Sequence, residues 1–383
     1  MPSYHHLYPF SPWGLHGGTL RLRTAIEASL LDGTATFSWW DATHSTWRSD
    51  VELEDIGAPD PEPAVVATET GAGGLKRRVF PFVMWEAGRK PRSHIADVLT
   101  QQPDATLVLH TTFLAPLAAG LRRSGRRVVV DVHDAIFRGH MDEAVGSPVA
   151  MRAIRTAYAK SVLQRERRAL AGACGLAVAG WDDALILEGL GLTQLKWAPT
   201  GLEAQLSAMP QSDRLCVGLL GNFHHSATAR AASELVSSPL GRDPEIEVIF
   251  AGIGSERYEG TAGVRSLGSI AAIDEFYDEV HATVVPVTIG TGMKCKLGEA
   301  ALAGKAVITT PLGASGYPPE LREAFVVVDS AQSLDRRVVT DAIQRTSPDG
   351  VRARFDAVVG RHAATRTYAE VLQRSDHPVG QLQ

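Results

Sequence analysis

The chain has 383 residues, 44% hydrophobic and 21% charged, the make-up of a globular protein of two or three domains whose cores need no staples. A formal charge of −5 leaves no basic footprint for nucleic acid. The three cysteines, Cys174, Cys216 and Cys295, lie far apart without a CxxC pair, which argues for a reducing compartment and against a zinc or disulfide framework.

The N-terminus shows no basic-then-apolar leader pattern. A first loop, YPFSPWGLHGGTLRLR, follows an opening strand, and Gly17 and Gly18 would let its backbone approach a ligand at the start of a helix carrying Arg21 and Arg23. Trp39 and Trp40 close the next strand, as core or as an acceptor platform. The longest apolar run, TLVLHTTFLAPLAAGL, is broken by His110 and three threonines and falls short of a membrane span of ~20 residues. A soluble cytoplasmic chain with no integral membrane segment is the expectation.

Short apolar runs at 105–112, 126–134 and 175–180 read as buried strands, with a long helix over 148–172 opened by proline. The pattern restarts at 214–222, 246–254, 282–287, 305–310 and 324–329, after a weakly periodic, proline-bearing stretch at 196–213. Near-continuous apolar strands alternating with helices predict an α/β chain: two doubly wound parallel-sheet domains. Residues 1–200 form the first and 201–362 the second. Ligands of such sheets sit beyond the carboxyl ends of the strands, so a site is expected where the domains face each other.

One stretch at a strand end stands out. The chain holds only seven lysines, and two of them, Lys294 and Lys296, follow the turn TIGTG. Gly290 and Gly292 bare the backbone amides, and a helix start near Met293 adds free N–H donors and about half a positive charge. Lysine is disfavoured at that end of a helix, so an anion would explain its placement. Glu299 follows three residues after Lys296, within reach of a diol. The features suit a sugar diphosphate; the plainer reading is a surface helix with a Lys296–Glu299 pair. The dinucleotide fingerprint fails, because Cys295 stands three residues after Gly292, and no GxxxxGK[ST] occurs.

The stretch GTGMKCKLGEAALAGKAVITT resembles the carboxyl-terminal signature of the GT-B glycosyltransferases of the family 4 type, glycosyl transferases group 1. VVVDVHD resembles that family's strand ending in His-Asp, LKWAPTGLE its hinge, VGLLGNFHHSATARAASEL the start of its second domain, and SLGSIAAIDEFYDEVHATVVP the run that follows. The resemblance is dense from about 126 to 317. It implies a GT-B fold with two Rossmann-like domains facing a cleft and a C-terminal crossover helix within 363–383 that returns to the first domain. The implied activity is transfer of a sugar from a UDP- or dTDP-linked donor to a small-molecule or glycan acceptor, as in secondary-metabolite or polysaccharide biosynthesis. Retention of configuration is implied, with neither metal nor other cofactor, in a monomer or homodimer.

The resemblance also distributes roles. The diphosphate falls to the turn at Thr291, Gly292, Met293, Lys294 and Lys296, with Gly17, Gly18, Gly221, Asn222 and Ile270 around the nucleotide sugar and Glu299 on ribose. His133 faces the donor sugar and reaction centre, where a neutral imidazole can bond a hydroxyl or shuttle a proton. Asp134 is open to orienting His133, touching the acceptor or capping the next helix. His110 and Trp40 fall on the acceptor side, and His224 and His225 replace a usual basic pair. Many members carry two glutamates with seven residues between them; here the first position is Thr291. Two alternatives follow: an inverting transferase of the natural-product type with His16 as base, and a non-catalytic subunit that binds nucleotide sugars. The histidines are scattered along the chain without ligand-like spacing, so no bound metal is expected.

Overall fold

The computed structural model describes residues 1–10, 12–13, 17–41, 46–49, 55–56, 97–145 and 147–374. Among them two sheets form. The first contains β1 (Ser3–Tyr8), β2 (Thr34–Asp41), β3 (Thr46–Arg48), β4 (Thr106–His110), β5 (Val128–Val132), β6 (Gly175–Val178) and β7 (Leu195–Trp197). Their order is β3-β2-β1-β4-β5-β6-β7, parallel throughout except for the β2–β3 pair. The second contains β8 (Leu215–Leu220), β9 (Ile246–Ala251), β10 (Val264–Gly268), β11 (Ala282–Val285), β12 (Ala306–Thr309) and β13 (Phe325–Val327) in the order β10-β9-β8-β11-β12-β13, all parallel.

Each residue of β4, β5 and β6 is buried, as helices on both faces of a parallel sheet require. The winding reverses beside β1 in one sheet and beside β8 in the other. At such a switch point the loops leaving neighbouring strands part and open a crevice. The runs read from sequence cover eight of these strands, each run two to four residues too long, and miss β3, β7 and β10. Their last residues, such as Thr111, His133 and Val287, already belong to the loops that build the cleft.

The long helix spans Val149–Leu170 with Pro148 as its cap. The C-terminal helix, Arg361–Arg374, packs against the first helix, Gly17–Asp32. It buries Val371 and Leu372 there, each worth roughly 1.5–3 kcal/mol. Arg361 holds Glu27 of that helix and Glu203 of the interdomain link together. The helix after the glycine turn begins at Cys295, with Lys294 as its cap, and not near Met293. Tyr317 explains the delay: its hydroxyl donates to Lys294 O at 2.8 Å and accepts from Gly298 N at 2.9 Å, pinning the first turn.

Candidate functional site

The first wall of the cleft is built around Asp131, a carboxylate in the middle of an apolar, wholly buried strand. A charge there must be matched. Arg21 donates to its Oδ1 through Nε at 2.8 Å and Nη2 at 2.6 Å, and the same guanidinium reaches Ala198 O at the end of the sheet. Its Oδ2 faces His110 Nδ1 at 2.8 Å and His133 Nε2 at 3.1 Å. Burial alone would raise Asp131, but Arg21, His133 and the histidine hydrogen bonds hold it well below the usual carboxylate range. His110 continues inward, 3.0 Å from His6 Nδ1, and His6 Nε2 lies 2.9 Å from Ser29 Oγ. Burial lowers both His110 and His6, His6 strongly.

These histidines, far apart in sequence, therefore gather in space. His110 Nδ1, Asp131 Oδ2 and His133 Nε2 lie within 4.8 Å of one another, close enough to share an ion. The separations to Oδ2 are those of N–H···O hydrogen bonds, and Arg21 already balances the carboxylate.

The second wall is less self-contained. Lys296 Nζ has the Thr228 hydroxyl at 3.5 Å as its only hydrogen-bond partner among the described residues. Gly221 keeps that space open, since a Cβ there would sit 2.6 Å from Nζ. Burial lowers Lys296 to about 8 and raises Glu299, one turn along, to about 7. Glu299 is 7% exposed, and its carboxylate has no hydrogen bond or ion pair among the described residues. His225 caps the helix Ser226–Ser237 beside them and is lowered by burial and by Lys296. Two helix N-termini, a lysine and a carboxylate thus converge at the ends of β8 and β11.

Between the walls the domains touch. Gly292 N donates to Asp183 Oδ2 and Thr291 Oγ1 to Asp134 Oδ1, both at 3.0 Å. The first two amides of the helix Trp181–Gly189, which have no partner within it, donate to Gly316 O and Ser315 O of the other domain. Gly292 has φ 71°, and a Cβ there would sit 2.4 Å from Asp134 Oδ1, so only glycine fits.

Several sequence expectations change. His110 is fully buried in the Asp131 network and does not line the acceptor side. Asp131, and not Asp134, orients His133; Asp134 reaches the opposite domain. The Gly292 amide, expected on a diphosphate, is taken by Asp183. Lys294 Nζ folds back onto Thr291 O and Gly292 O, leaving Lys296 as the lysine facing the crevice. The Lys296–Glu299 pair of the plainer reading is not formed.

Other expected residues fall around the site. Asn222 Oδ1 accepts from His224 N at 2.9 Å, while His224 Nδ1 pairs with Arg257. Met293 and Ile270 pack against the second core. A Cβ on Gly17 would come 3.3 Å from Cys295 Sγ, so the first helix begins against the second domain; Gly18 follows it in the same turn. Trp39 is core. His16 and the Trp40 side chain lie outside the described residues. Sequence reasoning named Arg21 without giving it a role and missed Asp131, His6 and Asp183. Asp131 alone left a signal, an acid among valines.

With this geometry in place, comparison with known proteins is informative. Residues 213–340 match the family model described as glycosyl transferases group 1. No curated protein matches. Among solved structures, HepE of Anabaena in complex with UDP and glucose superposes with a TM-score of 0.64 at 14% identity, over 97% of this chain and 100% of that one. Sucrose-phosphate synthase of Thermosynechococcus elongatus gives 0.70 at 15%, over 98% and 99%. A trehalose-6-phosphate protein of E. coli bound with UDP-2-fluoro glucose gives 0.60 at 13%, over 98% and 99%. The fold is GT-B. Both Rossmann-like sheets, and not only the matched second domain, are shared with these structures. Among the described residues no helix is long and apolar enough to cross a membrane.

Proposed function

We propose that the protein is a glycosyltransferase that moves a sugar from a nucleotide-diphosphate donor, UDP- or dTDP-linked, to a hydroxyl of a small-molecule or glycan acceptor. One observation carries the reading. Lys296 and Glu299 are desolvated one helical turn apart, without forming an ion pair, at the strand ends facing His133. Protein groups left this way await a ligand that supplies negative charge to the ammonium and hydroxyls to the carboxylate. A diphosphate with a ribose does both, and HepE, matched across its full length, was solved with UDP.

In this reading the diphosphate lies against Lys296 and the amides at the start of the helices Ser226–Ser237 and Cys295–Leu302, while Glu299 accepts from ribose. As the glycosidic bond breaks, charge grows on the departing diphosphate, and these donors stabilise it without a metal ion. His133 sits opposite and contacts the sugar or the attacking hydroxyl. Retention of configuration, with the leaving phosphate taking the acceptor's proton, fits the motif resemblance. Contact between the domains excludes water and limits hydrolysis of the donor.

A thermal-shift screen of nucleotide sugars, followed by assay of nucleotide release and NMR assignment of the product anomer, tests this. A rise in Tm with one donor and formation of a glycoside are expected. No response to any donor, with release no faster than in buffer, would sink the reading in favour of a non-catalytic role.

A further inference from the structure

The geometry points to Asp131 as the positioning residue that fixes His133 as a hydrogen-bond acceptor toward the cleft, its proton held on Nε2 and its Nδ1 lone pair offered to a substrate hydroxyl. The substrate part of the inference rests on the glycosyltransferase reading; the tautomer does not.

Counting protons gives the tautomer. An ionised carboxylate only accepts. Arg21 fills Oδ1 with two N–H groups, so Oδ2 is left for the histidines. Both ring nitrogens facing it, His110 Nδ1 at 2.8 Å and His133 Nε2 at 3.1 Å, must then carry hydrogen. A neutral imidazole has one N–H. His133 Nδ1 is therefore a bare lone pair, and it makes no hydrogen bond to a described residue. The His133 side chain is 12% exposed, against none for His110 or Asp131, so it is the member of the group that opens to the cleft.

The Asp131 contacts fix the direction at the outer end of the chain. Further in, His110 Nε2 lies 3.0 Å from His6 Nδ1 and His6 Nε2 lies 2.9 Å from Ser29 Oγ, whose one proton is donated to Ala25 O at 3.0 Å. The 3.5 Å contact between His110 Nδ1 and His133 Nε2 joins two donors sharing one acceptor. Tyr8 and Tyr368 are the other ionisable groups that interact with Asp131, and toward an ionised carboxylate a phenol hydroxyl acts as a donor. Tyr8 stands beside His133 with ring centroids 6.3 Å apart, and the Tyr368 ring lies 4.9 Å from the Arg21 guanidinium carbon. Asp134, the residue after His133, is turned to Thr291. Arg21, tied also to Ala198 O, keeps the carboxylate from rotating.

Nitrogen-15 histidine spectra of the full chain at neutral pH decide the tautomer without any variant. The expected pattern is a protonated Nε2 and bare Nδ1 on His133, with a protonated Nδ1 on His110. A proton on His133 Nδ1, or a tightly bound divalent ion in place of both ring protons, overturns the assignment. Asp131→Asn turns an N–H toward the two histidines. It should lower kcat by roughly 10²–10⁴, the usual span of a positioned acid–base group, with KM for the nucleotide sugar changed less than about two-fold. Unchanged kcat in a folded Asp131→Asn, or a loss confined to KM, also overturns it. Should Asp131→Asn fail to fold, the wild-type spectra alone settle which nitrogen carries the proton. Should wild-type protein turn over no nucleotide sugar, the functional reading fails while the tautomer result stands.

Discussion

Across the cleft the two domains treat buried charge in opposite ways. On the first wall Asp131 takes four N–H groups from Arg21, His110 and His133, and the chain runs on through His6 to Ser29. On the second, Lys296 and Glu299 are desolvated with one long contact to Thr228 between them. A satisfied network fixes geometry; an unsatisfied pair costs stability until a ligand arrives. The first wall is thus suited to orient and the second to bind, which gives the two walls separate signatures under mutation.

The largest effect is expected from Lys296→Ala. Losing the lysine that faces the crevice should cost roughly 10²–10³ in kcat/KM, in the range of a lost charge-stabilising donor. It should also abolish the Tm rise produced by a nucleoside diphosphate. A variant that still binds UDP with wild-type affinity would place the diphosphate elsewhere and erase the contrast between the walls.

Glu299→Gln comes next, and pH separates its effects. Burial raises Glu299 from 4.5 to about 7, so between those values the native state holds a proton that the unfolded chain has lost. Stability contributed by this group is full below pH 4.5 and falls as pH rises through 7. Lys296, lowered from 10.5 to about 8, has the depressed pattern: its contribution is present above 10.5 and is lost as pH falls through 8. Together these two groups contribute least between about 7 and 8, and Glu299→Gln should gain on the order of 1–3 kcal/mol at pH 8 and little at pH 5. Urea denaturation at the two pH values measures it. Equal gains at both would show that Glu299 is not held against its charge.

How much of this was legible beforehand follows from how local each signal is. The strands could be read because a parallel sheet covered on both faces needs short apolar runs, and 128–132 or 282–285 can hardly be anything else. The glycine turn and its lysines could be picked out because they are neighbours in sequence, though the commitments of Gly292 and Lys294 could not. The Asp131 hub could not, since Arg21 lies 110 positions away and His110 lies 21. Only Asp131 itself gave a hint, because an acid inside VVVDV demands partners without naming them. Asp182 and Asp183, in the first turn of their helix, read as ordinary acids at a positive helix end. Asp183 pairs with Arg138 of its own domain, but Arg322, the partner of Asp182, and the Gly292 amide, on Asp183 Oδ2, belong to the other domain and depend on how the domains meet.

That seam supplies a smaller test. Asp183, ion-paired through Oδ1 to Arg138, places Oδ2 on the Gly292 amide in the same turn that would receive the diphosphate, and so competes with it for that donor. Asp183→Asn should therefore tighten UDP binding by about five-fold, equivalent to ~1 kcal/mol, with faster hydrogen exchange at the Gly292 amide. Weaker binding in a folded variant would mean that Asp183 shapes the turn for the ligand instead of competing with it.

The smallest effect is expected at Thr291, where family resemblance and geometry pull apart. The position is where many relatives in motif carry a glutamate for the donor sugar, so Thr291 could stand in with its hydroxyl. In the structure that hydroxyl is committed to Asp134 at 3.0 Å, at an exposed point between the domains. An exposed hydrogen bond of this kind contributes at most about 1 kcal/mol, so Thr291→Val should leave kcat/KM for the donor within about three-fold. A ten-fold or greater fall in kcat at unchanged UDP affinity would reverse the assignment. It would mean that Thr291 leaves Asp134 when the donor binds, and that the second wall holds the sugar as well as the diphosphate.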